Sequence, residues 1–152
     1  MEQEEYKLFL NQVNKLTDRR QNVTTVYLTV NSAIVGALAF LFKDVQMPSW
    51  AYPASAAILL VSGVAACSLW RRLISQYSVL LGWWYEQLRD IETAMPNSRA
   101  LLTEEYEALY GGGQSQPRVG LTRYEIRLTW LFTVLYASFG LALLVTVILK
   151  TV

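Results

Sequence analysis

Three long stretches of the chain carry no charge, and the charged residues gather between them. Val23 to Phe42 is a run of 20 uncharged residues, closed by Lys43-Asp44. About 20 helical residues, each rising about 1.5 Å, cross a hydrocarbon core of about 30 Å, so this run predicts a first membrane span at 23–42. A short loop with Pro48 follows, with Trp50 and Tyr52 as interfacial aromatics and Pro53 where a first helical turn tolerates it. The chain is uncharged again from Ala54 to Leu69 and is closed by Trp70-Arg71-Arg72, which predicts a second span at 52–70. Leu128 to Leu149 gives a third, at 128–149.

Between the spans the pattern becomes amphipathic. Tyr6, Phe9, Val13 and Leu16 recur at helical spacing and predict an amphipathic helix over 4–20. Tyr77, Leu81, Trp84, Leu88, Ile91 and Met95 repeat that rhythm, and nothing between Ala54 and Met95 stops a helix strongly. The second span is therefore expected to run on into the cytoplasm until Pro96-Asn97-Ser98 breaks it. A short helix is expected over Thr103 to Tyr110, with Thr103 as N-cap and Glu104 and Glu105 in its first turn. Gly111-Gly112-Gly113 ends it, and a polar linker leads to Arg118. The resulting fold class is an all-α integral membrane protein. It reads as one membrane domain over 1–152, with a cytoplasmic helical segment at 71–127. The apolar stripes on the cytoplasmic helices must be covered by each other or by neighbouring subunits.

Composition sharpens this picture mainly by exclusion. Only 16% of residues are charged, against roughly 25% in an ordinary soluble domain. The net charge of +1 gives no electrostatic reason to expect nucleic acid. Histidine is absent, which removes the commonest general base and metal ligand. The single cysteine, Cys67, lies inside an apolar run, so no intrachain disulfide or cysteine metal cluster can form. No nucleophile stands beside a base, so neither enzymatic activity nor a cofactor is expected. The opening Met1-Glu2-Gln3-Glu4-Glu5 is acidic, unlike a signal peptide, so the apolar segments are expected to direct insertion themselves. Basic residues set the expected orientation. Lys7, Lys15, Arg19 and Arg20 precede the first span, and seven arginines from Arg71 to Arg127 separate the second from the third. That bias places the N-terminus in the cytoplasm and the C-terminus outside, in a multi-pass protein of the bacterial inner membrane.

Polar side chains inside the spans are the candidate functional positions. Asn22, Thr25, Thr29, Ser32 and Gly36 follow one another at spacings of three and four and form a narrow polar face. Asn31 points roughly the opposite way near mid-span, where an amide facing lipid would be costly, so it must find a partner. Thr129, Thr133, Tyr136 and Gly140 make a similar face in the third span, and Ser55, Ser62 and Ala66 in the second. Such faces serve either helix packing or a water-filled path lined by one stripe in an oligomer. No carboxylate or arginine is embedded in a span, which argues against a pump or coupled transporter. At the boundaries, Asp18, Arg19, Arg20, Glu92 and Glu125 are either topology anchors or charges paired between subunits.

The segment entering the first span reads Tyr6-Lys7-Leu8-Phe9, then Leu16-Thr17-Asp18-Arg19-Arg20-Gln21-Asn22, then Tyr27-Leu28-Thr29-Val30-Asn31. It resembles the RipA family of octameric membrane proteins, in which a D-R-R-Q-like stretch precedes a span opening with F/Y-L-x-x-N. Trp70-Arg71-Arg72 with Tyr77, Ile91-Glu92 with Met95-Pro96, Glu105-Tyr106 with Leu109, and Thr122 with Glu125 resemble later elements of that family in the same order. Gly82-Trp83-Trp84-Tyr85 departs from it, replacing a more polar stretch. The resemblance implies a ring-like homo-oligomer, octameric in the family. A related membrane accessory protein of type VI CRISPR systems looks like an octameric pore that strengthens antiphage defence, and two-span effector domains of bacterial defence systems have a similar layout. The nuclease-like role discussed for some relatives depends on a His/Arg motif and cannot transfer to a chain without histidine.

The expected function is therefore a homo-oligomeric inner-membrane pore or membrane-perturbing protein, an antiphage-defence effector or accessory. The alternative is a non-conducting scaffold whose cytoplasmic helices recruit a partner protein. In either case the expected partners are further copies of the chain, the lipid bilayer and a cytoplasmic protein.

Overall fold

The computed structural model describes residues 2–43, 48, 50–95, 101–110 and 121–151. Between Glu2 and Leu41 the sequence has no proline and a single glycine, and it forms one uninterrupted helix, α1 (Glu2–Leu41). The amphipathic stretch at 4–20 and the apolar run at 23–42 are thus a single rod, because Gln21-Asn22 changes polarity without breaking the backbone. At about 1.5 Å per residue α1 is about 60 Å long, roughly twice a bilayer core. α2 (Ala51–Ala94) has 44 residues and carries the second span onward as expected. It stops at Met95, whose backbone turns extended ahead of Pro96. α3 (Leu101–Tyr110) starts two residues earlier than the N-cap reading of Thr103 placed it. α4 (Leu121–Thr151) begins before the third apolar run and contains it. The expected breaks at 96–98 and 111–113, and the linker to Arg118, lie outside the described residues apart from their flanks. No strand occurs among the described residues, and three of the helices are long and apolar enough to cross a membrane.

The helices pack in two layers. In the first, α1, α2 and α4 enclose Leu38, Ala56, Cys67, Trp70, Ile74, Phe132 and Tyr136. Tyr27 of α1 lies parallel to Trp70 of α2 with ring centroids 6.1 Å apart. In the second layer α1 and α2 continue without α4 as an antiparallel pair, joined by Val13, Leu16, Leu81 and Leu88. Phe9 meets Trp84 edge-on at 5.2 Å, and Leu102 of α3 packs on the same cluster. The two amphipathic stripes in the sequence therefore cover each other. The outer surface of the first layer is strongly apolar: Leu141, Leu144 and Leu149 of α4 are 65%, 61% and 74% exposed. Contiguous exposure of that kind suits lipid or another subunit and not water.

Candidate functional site

Asn22, Thr25, Thr29 and Ser32 stand on the side of α1 turned away from α2 and α4, and all four are exposed. The Thr25 hydroxyl donates to the Gln21 carbonyl at 3.1 Å, and the Thr29 hydroxyl to the Thr25 carbonyl at 2.9 Å. These bonds to the preceding turn satisfy the hydroxyl protons within the helix and leave oxygen lone pairs facing outward. Gly36 continues the stripe, with nothing within 4 Å of where a Cβ would stand. On α4, Ser138 and Thr146 also bond to carbonyls of the preceding turn, but the flanking outer surface is leucine and valine. Among the described residues, the continuous outward polar strip is the one on α1.

Asn31 is placed differently. It is fully buried where α1, α2 and α4 converge. Its amide nitrogen donates to the Tyr27 carbonyl at 2.7 Å. Its side-chain oxygen accepts the Tyr136 hydroxyl at 2.9 Å and the Cys67 thiol at 3.2 Å. One amide therefore ties together all three long helices. Tyr136 reaches it only because α2 has Gly63 beneath the ring: a Cβ there would penetrate the ring's van der Waals envelope.

The boundary charges divide into three groups. Arg20 forms an ion pair with Glu125 and also donates to the Thr122 hydroxyl at 2.9 Å, while Thr24 donates to Glu125 at 3.1 Å. This cluster joins the midpoint of α1 to the first turns of α4 inside one chain. Asp18 and Arg19 are exposed and form no ion pair among the described residues. Glu92 is 5% exposed and accepts the backbone amides of Leu102 and Thr103 at 3.2 and 3.1 Å, together with the Thr103 hydroxyl at 3.2 Å. A carboxylate at a helix N-terminus meets unpaired amides and the positive end of the helix dipole, so Glu92 fastens α3 to α2. Arg89 lies over the Tyr106 ring at 3.7 Å and makes a second fastening. Burial pushes the Tyr6 phenol up from its ordinary pKa, and the Glu92 carboxylate nearby pushes it the same way.

Sequence reasoning singled out Asn31 but not Cys67 or Gly63 as its setting. A hydroxyl, a thiol and an amide in three different spans were the available signal, and only the relative rotation of the helices reveals that they converge. Among the described residues no group of three His, Cys, Asp or Glu could hold a metal ion.

Three helices around a polar centre, each long and apolar enough to cross a membrane, define an all-α integral membrane protein. A family model matches residues 3–146, and the chain belongs to that family, the octameric membrane protein family. Neither a curated protein nor a solved structure matches the chain.

Proposed function

We propose that copies of this chain form an octameric ring in the bacterial inner membrane, with the N-terminus cytoplasmic, and that Asn22, Thr25, Thr29 and Ser32 of α1 line a water-filled lumen. The observation that carries this reading is the contrast between outward faces: α1 turns a polar strip away from its own core, whereas α4 turns leucine and valine outward. In lipid the polar strip of α1 would be poorly solvated, and a lumen restores water to it. Asn31 has no part in the lumen; it holds the three helices of each subunit at a fixed rotation, so that the polar strip keeps one direction. The lumen has no embedded charge, which suits a weakly selective opening that dissipates gradients. That activity fits the antiphage-defence role implied by the resemblance to accessory pores of type VI CRISPR systems.

The test is conductance of the purified protein in planar bilayers. Wild-type protein is expected to conduct, and Thr29→Trp to reduce conductance at least tenfold without changing the mass of the assembly. A stable octamer that conducts in neither form contradicts the pore. It would favour the scaffold, in which the cytoplasmic layer recruits a partner. A reporter fused at Val152 checks orientation, and cytoplasmic activity of that reporter overturns the topology.

A further inference from the structure

In the cytoplasmic layer of one chain α1 and α2 pack on each other and α3 covers only the flank of α2 at Glu92 and Arg89, so each long helix keeps an outward face open. On α2 the open face carries Val79, 75% exposed, and Trp83, 50% exposed, followed by exposed Glu86 and Asp90. The spacings of four, three and four put these residues on one strip, opposite buried Leu81 and Leu88. Trp83 is 13 residues beyond Trp70, so about 20 Å of helix separates it from the membrane boundary and lipid does not cover it. The open face of α1 at the same height carries exposed Lys7, Leu8, Asn11 and Lys15, with Leu8 69% exposed. Height is fixed by the contacts inside the chain: Phe9 meets Trp84, and Tyr27 meets Trp70. Leu8 and Asn11 are thus level with Trp83, and Lys7 is level with Glu86.

These two faces are complementary. One has an apolar patch ending in two carboxylates, and the other has an apolar side chain between two ammonium groups. A closed ring with more than two members joins two different faces of each copy. When its axis is the membrane normal, residues that meet across the joint lie at equal height. We infer that the α2 strip Val79, Trp83 and Glu86 of one copy docks on the α1 strip Lys7, Leu8 and Lys15 of the next, so that α1 and α2 alternate around the cytoplasmic part of the ring. The inference rests on the ring in the reading above but not on conduction, so a closed assembly that fails to conduct leaves it standing. It also gives the departure at Trp83-Trp84 a physical role: Trp84 faces inward onto Phe9 and Trp83 faces the neighbour.

The test is oxidative crosslinking in isolated inner membranes of the full chain carrying Leu8→Cys and Trp83→Cys together. The two positions lie on opposite sides of the two-helix layer, so no bond can close within one chain, and native Cys67 is buried. The expected result is a ladder of products reaching eight copies. Each single variant alone should remain monomeric, and the two single variants expressed together should stop at dimers. A Trp83→Cys chain that links to its own kind, or links to a protein of different mass, overturns the inference. So does a double variant that stays monomeric. In parallel, Glu86→Lys should dissociate the assembly in detergent, and the combination of Glu86→Lys with Lys7→Glu should restore it with unchanged helix content. A combined variant that remains dissociated contradicts the pairing.

Discussion

The extramembrane layer and the membrane layer use the same two helices and hold them by opposite means. In the extramembrane layer α1 and α2 meet along Val13, Leu16, Leu81 and Leu88, and the polar contacts sit at the edge, at Glu92 and Thr103. In the membrane layer the amide of Asn31 lies at the centre, bonded to α2 and α4, while leucines crowd the outside. The solvent explains the inversion. Water drives apolar side chains inward at about 25 cal/mol per Å² of buried apolar surface, so a leucine seam suffices outside the bilayer. Lipid gives no such drive between helices, and close approach at small residues with interhelical hydrogen bonds must specify the packing. Gly63 and Asn31 meet that need. The same logic gives the polar outward strip of α1 its significance, because Asn22, Thr25, Thr29 and Ser32 are turned away from the chain's own core.

Substitutions can break this contrast. The largest effect is expected at Leu88, which is fully buried in the extramembrane seam: Leu88→Ala should destabilise by about 2–5 kcal/mol, whereas Leu144→Ala on the outer face of α4 should change little. Thermal unfolding in detergent compares the two directly. Next is Gly63→Ala, where the added methyl meets the Tyr136 ring; overpacking of this kind destabilises by about 1–3 kcal/mol, and Tyr136 should lose its bond to Asn31. Asn31→Leu removes two interhelical bonds of about 0.6 kcal/mol each, rarely above about 1.7, so its effect on stability should be smaller than that at Leu88. Its effect on the rotation of α1 should be larger than its energy suggests, and spin labels on α1 and α4 measure that rotation.

The smallest effect sharpens the edge of the extramembrane layer. The Tyr6 phenol is held above its ordinary value of 10.0, while in the unfolded chain it ionises near that value. Below about pH 10 the group is neutral in both states and stability is unchanged. As pH rises through the folded value, the unfolded state has already released its proton and stability falls. Tyr6→Phe should flatten that alkaline slope in a pH series of unfolding temperatures.

Much of this arrangement was legible in the sequence. The three spans, the continuation of the second span as one helix, and the facing stripes of Tyr6, Phe9, Val13 and Leu16 with Tyr77, Leu81, Trp84 and Leu88 follow from periodicity and the absence of breakers. The continuity of α1 was hidden because Gln21-Asn22 looks like a boundary between an amphipathic and an apolar segment, although polarity alone does not interrupt a backbone. Glu92 read as a boundary charge; its capping of α3 depends on α3 lying against α2, a packing that residue types do not encode. The convergence of Asn31, Cys67 and Tyr136 required the rotation of three helices, which spacing within each helix leaves undetermined.

The most direct measurement of the central claim is the reactivity of introduced thiols toward a membrane-impermeant, water-soluble reagent in intact assemblies. Thr25→Cys and Thr29→Cys on α1 are compared with Leu141→Cys and Leu144→Cys on α4, with buried Cys67 as background. A water-lined lumen predicts rapid labelling at both α1 positions, with loss of conductance as the label accumulates, and no labelling at either α4 position. Equal inertness of all four positions would contradict it and place the polar strip of α1 in a dry contact between subunits.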